Sequence, residues 1–295
     1  MEPSRRSAEH DSAVRETASD ASLCKLSASQ LGYYADPFVQ FFVKSPSRRM
    51  PIINRGYYAR VAAVESLVRK FLASEDDGGT PQSKKQVVIL GAGLDTMFFR
   101  LKNQELLVNC EYFELDFPDV TMQKVSTIKR LSSGYTELNV PGYHLLPCDL
   151  RDLEAVSAKL ETVGIDRTVP TLFVSECVLI YMEAKFSTQL VAWAASYFDD
   201  VSFSLYEQIL PDDAFGHAQI ARFTEHNYEV AQCWDMNKIY YHYLDPTERV
   251  KRERLEIFDE LEEFHLLQAH YCVVVASKLA STSAARALTL GEVKA

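Results

Sequence analysis

Residues 86–119 carry the pattern in this chain with the clearest chemical meaning. An apolar, β-branched run ends in Gly91-Ala-Gly93, a helical pattern follows, and a second apolar run ends in Asp116, 23 positions after Gly93. Glycines allow a backbone to approach a ligand closely, and a carboxylate at the next strand end can accept hydrogen bonds from ribose hydroxyls. The pattern therefore predicts a βαβ unit that binds a nucleoside. The alternative is an ordinary tight turn, with Asp116 capping the helix that Pro118 begins.

The third position of the glycine pattern helps to separate two nucleoside cofactors. A dinucleotide-binding fingerprint has a third glycine three residues after the second, and this chain has Thr96 there. S-adenosylmethionine has no pyrophosphate and does not need that glycine. The sequence therefore favours S-adenosylmethionine, and an NAD-dependent oxidoreductase stays open as an alternative that cofactor-binding assays would distinguish.

The elements that position these residues alternate between strands and helices. Near-continuous apolar strands, such as residues 171–177, indicate a parallel sheet covered on both faces, and the alternation predicts a doubly wound α/β fold. Ligands of such sheets bind outside the carboxyl ends of the strands. Four consecutive predicted strands end at or beside a glycine or an acid: Gly91, Asp116, Asp149 and Glu176.

The sequence also predicts where each element begins and ends. Strands are expected at 86–91, 111–116, 143–148, 171–177, 200–208, 228–234 and 268–277. Helices are expected at 36–44, 57–73, 94–102, 118–131, 152–162, 184–197, 212–225, 235–243 and 246–263.

The domain organisation follows from composition. Residues 1–20 are polar and aperiodic, which predicts a disordered tail. Residues 21–74 are expected to form a helical lid, and residues 86–278 a Rossmann-like core, joined by a flexible link at 75–85. The segment 279–295 is small and polar and is expected to be a loose tail.

Charge and cysteine usage exclude several classes of protein. The net charge is −10 and the pI is near 5.3, which argues against a nucleic-acid partner. Six cysteines without a C-x-x-C pair indicate reduced thiols in a cytoplasmic or nuclear protein. The polar start is not a signal peptide, and no apolar run reaches the length of a membrane span. We expect a monomer without a metal site.

Seven blocks of the sequence resemble the leucine carboxyl methyltransferase family, over residues 21–278. These blocks are Ala21-Ser-Leu-Cys-Lys25, Gly32-Tyr-Tyr-Ala-Asp36-Pro37, Ile53-Asn-Arg-Gly-Tyr-Tyr-Ala-Arg60, Leu90-Gly-Ala-Gly-Leu-Asp-Thr96, Phe113-Glu-Leu-Asp-Phe-Pro118, Cys148-Asp-Leu-Arg-Asp-Leu153 and Ser175-Glu-Cys-Val-Leu-Ile-Tyr-Met182. Members of this family use S-adenosylmethionine to methylate the C-terminal leucine carboxylate of protein phosphatase 2A catalytic subunits. The resemblance implies a Rossmann-like S-adenosylmethionine-dependent methyltransferase sheet with an N-terminal helical lid.

The resemblance also implies roles for eight cofactor-binding residues. They are Lys25 and Arg60 for the cofactor carboxylate, Gly91 and Gly93 for close approach of the cofactor to the loop, Asp116 for the ribose, Asp149 and Leu150 for adenine, and Glu176 for the ammonium. Taken singly, Lys25 or Arg60 is more typical of a solvated charge, and Asp149 of a helix cap.

A carboxylate substrate determines what catalysis requires. A C-terminal carboxyl group has a pKa of roughly 3.3–3.7 and is ionised at neutral pH, so no general base is needed. Arg151 is the first candidate to hold it, because a guanidinium binds a carboxylate through two parallel hydrogen bonds. Tyr181 is the second candidate. Their alternative roles are a surface charge for Arg151 and a packing residue for Tyr181.

The chain departs from the family between Ile220 and Ala221. A block about the size of a helix and its connection is missing there, beside the expected substrate cleft. One alternative is therefore a non-enzymatic phosphatase binder. Another is the tRNA-modifying branch of the family, which carries a propeller; the acidic charge and the lack of repeats in this sequence argue against it.

Overall fold

A mixed eight-stranded sheet forms the centre of the protein. The structure, a computed structural model, describes residues 5–75, 84–131, 139–210, 213 and 216–290. The strands are β1 (Lys85–Leu90), β2 (Cys110–Asp116), β3 (Asn139–Val140), β4 (Tyr143–Pro147), β5 (Thr171–Glu176), β6 (Val201–Gln208), β7 (Val230–Asp235) and β8 (Tyr271–Ser277). Their order across the sheet is β3-β4-β2-β1-β5-β6-β8-β7.

The five central strands, β4-β2-β1-β5-β6, are parallel, and β3, β8 and β7 pair antiparallel. Every residue of β1 is buried, as are nearly all residues of β2, β5 and β6. This burial explains why the central strands are apolar almost without interruption. The predicted doubly wound α/β fold is confirmed, with the reversal of strand order between β1 and β5.

Helices cover both faces of this sheet. They are α1 (Arg5–Gln30), α2 (Pro51–Ala73), α3 (Met97–Asn103), α4 (Pro118–Leu131), α5 (Leu153–Thr162), α6 (Ala184–Tyr197), α7 (His217–Thr224), α8 (Met236–Lys238), α9 (Pro246–Glu253), α10 (Leu261–Ala269) and α11 (Ser283–Leu288). Successive side chains of a strand point to opposite faces of the sheet, as expected for the two-residue period. Val87 and Ile89 pack with the core beneath α2 and α3, whereas Val88 and Leu90 pack with the core beneath α5 and α6.

The N-terminal prediction is wrong for the residues that the structure describes. Residues 5–20, expected to be disordered, belong to α1, which continues without a break to Gln30. The C-terminal part of this helix is buried at Cys24, Leu26 and Ala28, and its polar part makes long-range ion pairs. Arg15 Nε lies 3.7 Å from Asp119 Oδ2, and Arg49 Nη2 lies 2.5 Å from Asp20 Oδ1. Composition alone did not predict this helix, because the helix depends on tertiary contacts.

The C-terminal segment is also more ordered than predicted, because α11 forms within the expected loose tail. The Thr282 hydroxyl accepts a hydrogen bond from the Ala285 amide at 3.2 Å, which is an N-cap contact. Ala284, Ala285 and Leu288 are buried, and α11 packs on α2 and β8. Small apolar residues at helical spacing provide this contact.

Several predicted boundaries also differ from the structure. The helix expected at 36–44 is a 3-10 turn at Val39–Phe42, and the helix expected from 57 begins at Pro51, which suits the first position of a helix. The helix expected at 246–263 divides into α9 and α10, and β3 was not predicted. Most of the expected link at 75–85 lies outside the described residues.

The helix expected at 212–225 is shorter in the structure. It begins at His217, after Gly216 in the left-handed conformation with φ +63°, and residues 211, 212, 214 and 215 lie outside the described part. Phe223 of α7 is fully buried, and its ring centroid lies 5.2 Å from that of Phe203 and 5.1 Å from that of Tyr228. One short helix therefore covers this part of the sheet.

All six cysteines are free. Within the described ranges, none of the helices combines the length and the apolar character that a membrane crossing requires.

Candidate functional site

A cavity lies at the carboxyl edge of the sheet, beneath the first half of α1. Six of the predicted site residues line it: Gly91, Asp116, Asp149, Leu150, Arg151 and Tyr181. Five residues of α1 close it from above: Asp11, Val14, Arg15, Thr17 and Ala18. The topology therefore brings the strand ends of β1, β2, β4 and β5 together, as the sequence predicted, and adds a helix that the sequence analysis did not place there.

The glycine turn after β1 has a backbone conformation that glycine adopts more readily than other residues. Gly91 and Gly93 have φ values of +60° and +52°, which favour glycine. A Cβ atom at Gly91 would lie 2.6 Å from Val178 Cγ2, and one at Gly93 would lie 3.3 Å from Ala18 Cβ. The loop after β5 and helix α1 therefore pack directly against this turn, and they leave little room for a side chain at either glycine.

Asp116, at the end of β2, anchors the glycine turn. Its Oδ2 accepts a hydrogen bond from the Gly93 amide at 2.6 Å, and its Oδ1 accepts one from the Phe117 amide at 2.6 Å. Burial raises the pKa of Asp116, although these two amides oppose the shift. A carboxylate has about four acceptor positions, so each oxygen keeps one for a ribose hydroxyl.

Asp149 and Arg151 are paired with each other. Arg151 Nε donates to Asp149 Oδ1 at 2.9 Å, and Arg151 Nη2 donates to Asp149 Oδ2 at 2.6 Å. Burial of the Asp149 carboxyl opposes its ionisation, but the hydrogen bonds from Arg151 prevail and lower its pKa. The outer edge of the guanidinium contacts Asp11 of α1. Arg151 therefore lies between two carboxylates, and the adenine contact expected for Asp149 stays a prediction.

Lys25, Arg60 and Glu176 form a buried charge cluster, and none of them lines the cavity itself. Lys25 Nζ lies 3.2 Å from Glu176 Oε2, and Arg60 Nε lies 2.7 Å from the same oxygen. Asp95 supplies a second acid, 2.6 Å from Lys25 Nζ. Burial opposes ionisation of Glu176, but Lys25 and Arg60 outweigh it, so the pKa of Glu176 falls below its ordinary value. Two cations and two anions therefore balance one another behind the glycine turn.

Tyr181 ends a 3-10 turn, Leu179–Tyr181, that follows β5. Its side chain lines the same cavity as Arg151 and is about one-third exposed. Burial raises the pKa of Tyr181, so the phenol is neutral at pH 7 and can donate a hydrogen bond. His10 of α1 lies 3.0 Å from the Tyr181 carbonyl oxygen, which connects α1 to this turn.

Two groups of residues at the site were not predicted. Asp11, Val14, Arg15 and Ala18 follow the i, i+3, i+4, i+7 spacing of one helix face, and this spacing was the signal that could have found them. Asp95 lies inside the glycine block, four residues after Gly91, but its partner Lys25 is 70 positions away. No local pattern could reveal that contact.

The arrangement fits a nucleoside cofactor that also carries a carboxylate and an ammonium group. The glycine turn and Asp116 suit the nucleoside, while the adjacent cluster holds cations for a carboxylate and acids for an ammonium. Arg151 and Tyr181 line the same cavity, where they place a guanidinium and a phenol hydroxyl. The described residues contain no cluster of His, Cys, Asp and Glu able to hold a metal ion.

Comparison with known families gives a match to the leucine carboxyl methyltransferase model over residues 13–195. This range contains every residue that the sequence analysis assigned to the site, from Lys25 to Tyr181, together with Val14, Arg15 and Ala18 of α1.

Curated relatives extend the similarity over most of the chain. The leucine carboxyl methyltransferase 1 homolog of Arabidopsis thaliana is 40% identical over 300 residues, covering 90% of this chain and 89% of its own. Leucine carboxyl methyltransferase 1 of Caenorhabditis elegans is 35% identical, covering 90% and 91%. The tRNA wybutosine-synthesizing protein 4 of Homo sapiens is 36% identical over 90% of this chain, which spans 44% of that protein.

Similarity to solved structures is weaker. The magnesium protoporphyrin IX methyltransferase of Synechocystis PCC 6803 aligns with a TM-score of 0.45 and 10% identity, covering 86% of this chain and 97% of that one. At this level the likeness carries no argument about function.

Proposed function

The chain belongs to the leucine carboxyl methyltransferase family, and we propose that it transfers a methyl group from S-adenosylmethionine to the C-terminal leucine carboxylate of protein phosphatase 2A catalytic subunits. The observation that carries this proposal is the placement of Arg151 and Tyr181 in one cavity with Gly91 and Asp116. A carboxylate-binding pair and a nucleoside site thereby meet at one edge of the sheet.

The cofactor side of the reaction depends on three sets of residues. Bound S-adenosylmethionine supplies a methyl group activated by the sulfonium charge. Asp116 accepts hydrogen bonds from the ribose, and the left-handed Gly91 keeps the turn free of a side chain. Lys25 and Arg60 bind the cofactor carboxylate, and Glu176 balances the ammonium group; all three are already held in place by mutual ion pairs.

The substrate side needs orientation and exclusion of water. A C-terminal carboxylate is ionised well below neutral pH, so the protein does not have to remove a proton. Arg151 holds the carboxylate through its guanidinium, and the neutral Tyr181 hydroxyl donates a further hydrogen bond. Both contacts orient one oxygen for transfer, and orientation of reacting groups is a major source of rate enhancement.

Arg151 can accept the substrate only if Asp11 yields its position. The guanidinium offers five N–H donors, and Asp11 and Asp149 together engage all three of its nitrogens. A substrate carboxylate therefore replaces the Asp11 carboxylate on the outer edge, while Asp149 continues to hold the inner edge. The first half of α1 then acts as the movable part of the lid.

Two family branches compete for the substrate assignment. The relatives named leucine carboxyl methyltransferase 1 and tRNA wybutosine-synthesizing protein 4 have similar identities to this chain, at 33–40% and 34–36%. The net charge of −10 favours the protein substrate, because a polyanion such as tRNA attracts basic proteins.

The proposal is tested by transfer of labelled methyl from S-adenosylmethionine to purified phosphatase 2A. The matched control is the same phosphatase lacking its last leucine, and a second arm offers tRNA. We expect label on the intact phosphatase alone, and mild base should release it as labelled methanol, as hydrolysis of a methyl ester does. Label on tRNA alone would overturn the substrate assignment, and phosphatase binding without transfer would favour a non-enzymatic binder. Binding of NAD in preference to S-adenosylmethionine would indicate the oxidoreductase.

A further inference from the structure

Glu207 is a buried acid whose carboxylate holds the loop between β5 and α6. It is the second-to-last residue of β6, and 1% of its surface is exposed. Its Oε1 accepts hydrogen bonds from the backbone amides of Val178 at 2.9 Å and Leu179 at 3.0 Å. Asp116 accepts an amide hydrogen bond from the glycine turn in the same manner. Among the residues that the structure describes, no other acid of the central sheet accepts backbone amide hydrogen bonds from a loop of the site.

Glu207 lacks a direct ion-pair partner among the residues that the structure describes. Within the described ranges, no lysine, arginine or histidine forms a salt bridge with it. Burial raises the pKa of Glu207, while the loop amides and the more distant Arg222 oppose that shift. Burying a carboxylate without a cation is costly, so the amide hydrogen bonds are the direct compensation for its position.

The loop that Glu207 contacts has an unusual backbone conformation and no local cap for its first amides. Cys177 has a φ of +57°, which is unusual for a residue with a side chain. Val178 precedes the 3-10 turn Leu179–Tyr181 and offers no side-chain cap to its first amides. Glu207 supplies this cap from a neighbouring strand.

The same loop forms one wall of the cavity. Cys177, Val178, Tyr181 and Met182 line it. The Val178 side chain also packs against Gly91 so closely that a Cβ there would lie 2.6 Å from Val178 Cγ2. A displacement of this loop would therefore move both the tyrosine and the support of the glycine turn.

We propose that Glu207 is a positioning residue for methyl transfer, which acts through the Val178 and Leu179 amides to set the place of Tyr181 in the cavity. The part of this inference that concerns turnover rests on the proposed function. The part that concerns the loop does not, because the hydrogen bonds are independent of the substrate.

The experiment compares Glu207→Ala, Glu207→Gln and Ser204→Ala. Ser204 is the matched control, since it lies in the same strand, is fully buried, and its hydroxyl has no partner in the described structure. Hydrogen exchange is measured for the amides of residues 177–182 and, as an internal reference, for those of β5. Turnover and the KM for S-adenosylmethionine are measured with the same preparations.

For Glu207→Ala we expect exchange of the loop amides to rise by about tenfold or more while β5 stays protected. We expect kcat to fall by about tenfold, with a smaller change in KM. Glu207→Gln keeps an acceptor oxygen and should retain part of the protection of the loop amides and part of kcat. If the alanine variant does not fold, the glutamine variant serves as the test. Ser204→Ala should leave both unchanged.

Unchanged loop exchange in a folded Glu207 variant would overturn the inference, as would faster exchange with undiminished kcat. Loss of protection across β5 and the loop together would also overturn it, because that pattern indicates a general structural role. If the protein methylates no phosphatase, exchange alone still decides whether Glu207 holds the loop, so the two proposals fail separately.

Discussion

Arg151 and Asp11 are joined by two hydrogen bonds, from Nη1 to Oδ1 at 3.1 Å and from Nη2 to Oδ2 at 2.8 Å. The two residues are 140 positions apart, and their contact connects the start of α1 to the loop after β4. Because Asp11 also lines the cavity, this pair joins α1 to the opposite wall of the candidate site.

Asp11→Asn should loosen this connection. The substitution removes the negative charge from a partly exposed pair, whose worth is roughly 1 kcal/mol. S-adenosylmethionine should therefore dissociate about fivefold faster, which stopped-flow displacement would measure. Asp20→Asn is the control, because Asp20 lies on the same helix and pairs with Arg49 away from the cavity. Equal dissociation rates in wild type and Asp11→Asn would show that α1 does not gate the cofactor.

Arg151→Lys should impair transfer more than cofactor binding. Lysine keeps the charge but loses the planar fork that orients both oxygens of a carboxylate. The loss of charged hydrogen bonds, about 1.5–3 kcal/mol, predicts a kcat lower by about tenfold to a hundredfold. Steady-state kinetics on phosphatase would report it, with Arg167→Lys as control, since Arg167 pairs with Glu161 at the opposite sheet edge. Full turnover in Arg151→Lys would remove Arg151 from the carboxylate contact.

Asp116→Ala should weaken S-adenosylmethionine binding by about tenfold to a hundredfold, because hydrogen bonds from an ionised acceptor are worth roughly 1.5–3 kcal/mol. Asp116→Asn should lose less, since it keeps an oxygen for the Gly93 amide. Calorimetric titration measures both. Glu111→Gln changes an acid at the other end of the same strand and should bind normally. Unaltered affinity in a folded Asp116→Ala protein would contradict the ribose assignment.

Glu176→Gln should lower stability in a pH-dependent manner. The pKa of Glu176 in the folded protein lies below its ordinary 4.5, so its ionised form stabilises the fold above that pH. This contribution is lost as the pH falls through the lowered pKa. At pH 7 we expect a loss of about 3 kcal/mol, because breaking a buried pair costs about 3–5 kcal/mol and glutamine keeps one acceptor.

Urea unfolding at several pH values would test this prediction. The difference between wild type and Glu176→Gln should shrink as the pH falls below 4.5. The control is Glu183→Gln, since Glu183 is exposed and pairs with the exposed Lys185. A difference that stays constant with pH would mean that the charge of Glu176 does not support the fold.

A segment of about the size of a helix and its connection, inserted between Ile220 and Ala221 where the sequence analysis expects a missing block, should raise both stability and turnover. The structure joins these residues within α7, a helix of 8 residues, and leaves all six residues of β7 only partly buried. Inserting a helical segment of that size should cover that strand. Each large side chain that it buries is worth roughly 1.5–3 kcal/mol.

Thermal unfolding and methyl transfer would measure the effect of the insertion. A glycine-serine insertion of equal length at the same position is the control. If the original chain is as stable and as active as the chain with the helical insertion, the segment is dispensable and α7 alone suffices for phosphatase recognition.

The sequence by itself determined the sheet and the identity of the family. Continuous apolar runs predicted the parallel strands, because strands buried on both faces have no polar side. The glycine pair and Asp116 predicted the first βαβ unit, since left-handed backbone and a strand-end acid are local requirements that leave a local signature. Composition failed for residues 5–20, where the polar character of α1 predicted disorder.

Tertiary structure alone decided which charges meet. Lys25 and Asp95, or Asp11 and Arg151, are far apart in the chain, and no periodicity within one segment encodes such a pair. Each contact depends on how α1 crosses the sheet edge, and that path is set by α2 and by the loops after β4 and β5. Glu207 reads in the sequence as one acid in an apolar strand. Its role at the site exists only because β5 and β6 lie side by side, so that its carboxylate reaches the amides of Val178 and Leu179.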